Sequence, residues 1–191
     1  GIHLGMGGRI IVTAPDGEQT SRYGGGDPHV GERDTDKPEW TRFSLTFEDG
    51  GQLRLFDKRR LGRVRLDPDV DSLGPDAAEI GREEFRERIQ ASSAPIKARL
   101  LDQSVVAGIG NLLADEVLWR AGVSPSRRSK TLDDDTVDEL RVVLRRAIRS
   151  AIAKGGVHTG DIIPFRKADA LCPRCGAPMA RGTVGDRKSV V

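Results

Sequence analysis

The stretch at residues 97–116, KARLLDQSVVAGIGNLLADE, restricts the fold more than any other part of this 191-residue chain. It sets Gly108, Ile109, Gly110 and Asn111 directly ahead of a run with helical apolar spacing. Unpaired backbone N–H groups and the helix dipole make such a start a natural seat for a phosphate. Glycine suits it because a Cβ would obstruct both positive φ and the close approach of another backbone. The Asn111 amide can cap the helix or donate to a phosphate oxygen. The same four residues also suit a plain reversal between two helices, with Asn111 as its cap, and the tetrapeptide leaves both readings open.

The pattern around this segment predicts an α+β chain. Residues 1–66 read as β structure: residues 2–12 alternate as one strand, residues 40–47 and 52–56 form two more, and the glycine-rich, charged residues 19–39 form a loop. Residues 67–80, with Pro68, Gly74 and Pro75, read as a linker. From residue 81 to 156 the period becomes helical. Phe85 and Ile89 mark one helix, Ile96, Leu100 and Leu101 a short second one, and a third starts at Asn111 and ends at Gly122. A fourth, from about residue 133 to 153, carries Val137, Leu140, Val143, Leu144, Ile148 and Ile152 at three- and four-residue spacing. Residues 157–191 are basic and extended, and residues 187–191 read as one strand of a hairpin.

The formal net charge of +2 hides segregation. Residues 140–191 hold eleven Lys/Arg against three Asp/Glu, and residues 54–65 hold six against one, so folding can gather a positive face for a polyanion. No apolar run approaches the ~20 residues that span a bilayer, and no secretory start is visible. A monomeric, intracellular protein, cytoplasmic or associated with the nucleoid, is the expectation. Cys172 and Cys175, the only cysteines, have the spacing of a metal knuckle rather than of a disulfide framework.

Taken together, Lys97, Asp102, Gln103, Val106, Gly108, Gly110, Asn111, Ala114, Asp115 and Glu116 resemble the helix-two-turn-helix segment of the formamidopyrimidine-DNA glycosylase and endonuclease VIII family. Three further strings, in the family's order, are similar to its motifs: HLGMGGR at residues 3–9, DKRRLGR at 57–63 and CPRCG at 172–176, the last resembling the first half of a zinc finger. The resemblance implies a partial N-terminal β-sandwich over residues 1–66, a helix-two-turn-helix domain over 81–156 and an incomplete zinc-finger hairpin over 157–191.

It also implies a base-excision-repair glycosylase and abasic-site lyase acting on oxidised bases in double-stranded DNA. Such an enzyme turns the damaged base out of the stack and fills the gap it leaves. The matching wedge positions are Met6, Arg59 and Leu61, the last departing from the family's usual aromatic. Lys97, Asn111 and Arg187, with Gly108 and Gly110, match positions that grip the DNA backbone. Cys172 and Cys175 match two of four zinc ligands. The family's proline amine, its neighbouring glutamate and an early-strand lysine would precede the HLGM strand, so this chain alone is expected to be inactive. Glu116 is expected to support the start of its helix. Only fifteen residues separate Gly156 from Cys172, shorter than the family stretch that covers the turned-out base, which leaves the preferred lesion open. A non-catalytic damaged-DNA-binding protein is the alternative. The GIG turn also resembles a ribosomal RNA-binding segment, against which the HLGM and DKRRLG strings weigh.

Overall fold

The computed structural model describes residues 1–5, 7–16, 19–23, 37–167, 169–184 and 187–190. The chain divides into two compact units, Gly1–Pro68 and Asp69–Val191.

The first unit is built on a four-stranded antiparallel sheet in the order β3-β2-β5-β4, from β2 (Arg9–Thr13), β3 (Gln19–Tyr23), β4 (Thr41–Thr46) and β5 (Gln52–Phe56). Register places Ile10, Val12, Leu53, Leu55, Phe43 and Leu45 on one face. Period-two alternation in the sequence produces that face. Leu55 is buried and Leu45 at the β4 edge is 45% exposed. A separate two-stranded ladder joins β1 (Ile2–His3) to β6 (Arg63–Val64). Residues 2–12 are therefore not one strand. Gly5 adopts φ 61° and the Gly8 N–H donates to the Leu4 carbonyl at 2.8 Å, turning the chain between β1 and β2. β3 falls in the segment expected to be loop, and its polar residues QTSRY gave no apolar period to find. Trp40 packs edge-on to Phe56 at 5.5 Å, with the Lys37 and Lys58 ammonium groups 5.0 and 4.8 Å from its ring centre.

The second unit holds α1 (Arg82–Gln90), α2 (Ile96–Leu101), α3 (Asn111–Ala121) and α4 (Asp134–Lys154). Their apolar stripes meet in one core that includes Phe85, Ile89, Ile96, Leu100, Val106, Val117, Leu140 and Leu144. Each fully buried side chain of this size contributes ~1.5–3 kcal/mol, an upper bound because unfolded chains already hide part of that area. The third helix ends at Gly122, as expected. Gly122 and Gly155 take left-handed φ of 67° and 86° at the ends of α3 and α4, and the Asp133 carboxylate accepts the Thr136 N–H at 2.7 Å to start α4. Arg82 and Arg86 of α1 converge on Asp138 of α4 and hold its carboxyl well below the usual range.

Part of the expected linker belongs to this unit. Ala77 and Ile80 are buried in the helical core, and Gly74 passes so close to Val105 that a Cβ there would lie 2.6 Å from its backbone. Residues 157–190 also belong to it. Two 3₁₀ turns (Val157–Thr159, Ile163–Phe165) lead to an antiparallel hairpin of β7 (Arg181–Val184) and β8 (Arg187–Val190). Ile162, Ala170 and Met179 form a small second core, with Trp119 of α3 packed against it. Among the described residues, no helix is long and apolar enough to cross a membrane.

Candidate nucleic-acid interface

In the first unit two loops interlock. The loop after β5 begins at Asp57, whose side chain is fully buried. Its carboxylate accepts the N–H groups of Arg59 at 2.9 Å, Leu61 at 2.6 Å and Gly62 at 2.5 Å. Burial pushes this carboxyl up, but the three N–H groups together with Arg42 outweigh burial and hold it below its ordinary value. The loop thereby closes around one anion, with Arg60 forced to φ 58°. Its outer side chains, Lys58, Arg59, Arg60 and Leu61, are exposed.

The turn between β1 and β2 lies against this loop. A Cβ on Gly5 would lie 2.7 Å from the Leu61 backbone, and one on Gly7 would be 3.5 Å from the Arg59 side chain. The neighbours of residue 6 on either side therefore touch the two predicted wedge residues. Met6 itself lies outside the described residues. Asp57 opens the DKRRLGR string, and the fold gives it the task of closing this loop. Its signal was available, an aspartate followed by charged residues and a glycine, which is how a side chain closes a turn on its own backbone.

In the second unit, α2 and α3 are joined by two turns. Asp102 starts the first, accepting the Ser104 N–H at 3.0 Å. Gln103 spans both, its amide donating to the Leu101 and Ile109 carbonyls at 3.1 Å while its oxygen accepts the Gly108 N–H at 3.0 Å. Gly108 takes φ 92°, so glycine is needed there. Gly110 is extended, at φ −96°, and a Cβ on it would meet nothing within 4 Å, so its smallness keeps the approach to the helix open. Gly110, not Asn111, is the cap residue. Asn111 is the first residue of α3, and no side chain caps the helix, which leaves its first-turn N–H groups without intrahelical partners. The Asn111 Oδ1 is enclosed and accepts no hydrogen bond.

Two acids of α3 turn inward. Glu116 accepts the Asp161 and Ile162 N–H groups at 2.9 and 3.0 Å and the Arg120 guanidinium at 2.6 Å. It thus anchors the segment after α4 and does not serve the start of its own helix. Asp115 meets Lys97 Nζ at 2.7 Å and Arg166 Nε at 2.8 Å. Lys97 is fully buried and also donates to the Lys188 carbonyl at 2.8 Å, so it offers no charge at the surface. Burial pushes its ammonium below the ordinary lysine value, against the pull of Asp115, and Arg166 adds to the shift. Arg187 begins β8.

Cys172 and Cys175 flank a tight knuckle closed by the Gly176 N–H to the Cys172 carbonyl at 2.8 Å. The Trp119 indole N–H points at Cys172 Sγ from 3.4 Å and, with the Arg174 and Cys175 N–H groups, pulls that thiol down to about 7. Arg174 stacks 4.5 Å from the Trp119 ring centre and donates to the Trp119 carbonyl. The knuckle can offer two thiolates to a metal. A closed structural zinc site needs four donors, and among the described residues no His, Cys, Asp or Glu groups with the pair.

A sheet unit with two interlocked loops, joined in sequence to a helix-two-turn-helix unit, is the class of protein these elements define. Residues 1–64 match the formamidopyrimidine-DNA glycosylase N-terminal domain and residues 72–161 match that family's H2TH domain. The formamidopyrimidine-DNA glycosylase of Chloroflexus aggregans is 31% identical over 210 residues, covering 98% of this chain and 70% of the relative. That of a Synechococcus strain is 30% identical, covering 99% and 70%. Among solved structures, the Lactococcus lactis enzyme in complex with DNA containing a FAPY-dG lesion superposes with TM-score 0.73 at 25% identity, covering 99% of this chain and 71% of the other. The complex of the Lactococcus lactis enzyme with abasic-site DNA gives 0.72 at 24%. The chain belongs to the formamidopyrimidine-DNA glycosylase family.

Proposed function

We propose that this protein serves DNA repair by engaging duplex DNA at a damaged base or abasic site, as a glycosylase with abasic-site lyase chemistry. The observation that carries the reading is the start of α3. There an uncapped helix N-terminus, the left-handed Gly108 and the bare Gly110 adjoin Asn111, whose amide can donate to a phosphate oxygen. A backbone phosphate fits this helix start, held by N–H groups and the helix dipole without any reading of sequence. Arg187 adds a cation from β8. In the sheet unit, Arg59 offers a planar donor fork to an orphaned base, and Leu61 and Met6 offer apolar area to the emptied stack.

In this reading the glycosidic bond of the turned-out nucleotide breaks as an amine attacks C1′, and elimination from the resulting imine cuts the strand. None of the residues assigned here is that amine; they grip the duplex and fill the gap. Cys172 and Cys175 would be two of the four ligands of a zinc ion that shapes the hairpin, and no chemical step passes through it.

Fluorescence anisotropy with a labelled duplex, carrying either an abasic-site analogue or an intact base, tests the proposal. Expected are preference for the abasic duplex and an affinity falling steeply with salt, since each neutralised phosphate contributes about −0.9 to the logarithmic slope. Equal affinity for both duplexes with a slope near zero overturns it.

A further inference from the structure

The most buried charges in the second unit lie at one point, Asp115 of α3. One of its oxygens meets Lys97 Nζ of α2 at 2.7 Å and Ser189 Oγ of β8 at 3.2 Å, and the other meets Arg166 at 2.5 and 2.8 Å. Lys97 turns a second donor to the backbone of the same strand, the Lys188 carbonyl. Lys97 and Ser189 are fully buried, and the Asp115 side chain is 1% exposed. Enclosing two cations with one carboxylate costs more than packing apolar side chains of equal volume, so stability is a poor reason for it. Direction is a better one. These bonds fix the rotation and height of β8 on α3, and Arg187 stands two residues before Ser189, on the same face of the strand. Asp115 lies one helical turn beyond Asn111.

From this geometry we infer that Lys97 is a positioning residue that never touches DNA: with Asp115 it locks β8 to α3, so that Arg187 and the Asn111 turn meet the DNA backbone as one preset clamp. The inference rests on the proposed function for its DNA contacts and on the structure alone for the lock.

Two measurements test it. The first is hydrogen exchange on the free protein, comparing Lys97→Met with wild type. The lock requires amides of β7 and β8 to exchange at least tenfold faster while those of Leu140 and Leu144 in α4 stay within about threefold. Unchanged hairpin protection overturns it. The second is a DNA-binding cycle of Lys97→Met, Arg187→Ala and the double variant. If Lys97 acts through the hairpin, the double variant binds no more weakly than Arg187→Ala alone, whereas losses that multiply mean a separate phosphate contact and overturn the inference. Should Lys97→Met fail to fold, Lys97→Gln, which keeps a polar donor but not the charge paired with Asp115, takes its place, and the same two outcomes decide. A wild-type protein that does not bind DNA refutes the proposed function, and hydrogen exchange still decides the lock.

Discussion

Replacing Asp57 by asparagine should release the loop at residues 57–62 while leaving the sheet beneath it intact. The carboxylate holds three N–H groups at 2.5 to 2.9 Å. Bonds to a charged group are worth about 1.5–3 kcal/mol each and neutral ones about 1. Asparagine can keep Leu61 and Gly62 on its single oxygen as neutral bonds, but its NH2 then faces the Arg59 N–H, donor against donor. Two weakened bonds and one lost bond amount to about 3–5 kcal/mol, reduced to about 2–3 because the exposed loop lets freed N–H groups reach water. At 1.36 kcal/mol per factor of ten, that is about a hundredfold in local opening. Amide hydrogen exchange reads it directly. Arg59, Leu61 and Gly62 should exchange about a hundredfold faster in Asp57→Asn, while Ile11 and Leu55 stay within about threefold. The sign with pH follows from the depressed carboxyl. Its contribution is complete above the usual carboxylate value of about 4 and is lost as pH falls through the folded-state value, so strongly acidic wild type should come to resemble the variant. Unaltered exchange at the three amides, or an equal loss across the whole sheet, would refute the reasoning.

Asn111→Ala should weaken binding to abasic-site duplex about tenfold, the worth of one or two hydrogen bonds, and leave the melting temperature within about 1 °C because its Oδ1 holds no bond in the free protein; a clear loss of stability would mean that the side chain serves the fold. Asp138→Asn should lower stability at neutral pH and flatten its fall in acid, since the Arg-paired carboxylate stabilises above pH 4 and ceases to as pH drops through its depressed value. Urea midpoints between pH 2 and 7 check this, and parallel curves for variant and wild type count against it. Gly74→Ala forces a Cβ against the Val105 carbonyl and should cost about 1–3 kcal/mol, whereas Gly81→Ala, with open space around it, should be near neutral. Thermal melts of the two separate the cases, and equal melts would contradict the close approach.

Sequence reading reaches as far as local signals do. Val137, Leu140, Val143 and Leu144 repeat at helical spacing within one element, and Asp133 and Gly155 punctuate it, so α4 was legible. β3 was not, because QTSRY owes its strand to pairing with β2 and not to its own alternation. The strand expected over residues 2–12 is broken by backbone contacts at Gly5 and Gly8, whose partners Leu61 and Leu4 only folding supplies. The same limit applies to charge. Lys97 reads as a surface cation in its own helix, and the strand that covers it begins ninety residues later. Glu116 stands close enough to the start of α3 to be read as serving it, yet it is the middle residue of the helix and its partners Asp161 and Ile162 come from beyond α4. The glycine turn ahead of α3 was readable, but not which residue caps the helix, because that depends on the backbone angle at Gly110.

The two tryptophans are divided one to each unit, Trp40 beneath Lys58 and Trp119 beneath Arg174 with a sulfur at its N–H. Each indole is therefore an optical probe of a different unit. Exchanging either for phenylalanine leaves a single emitter, whose colour and quenching report separately on the cationic loop and on the cysteine knuckle, with no dye attached to either.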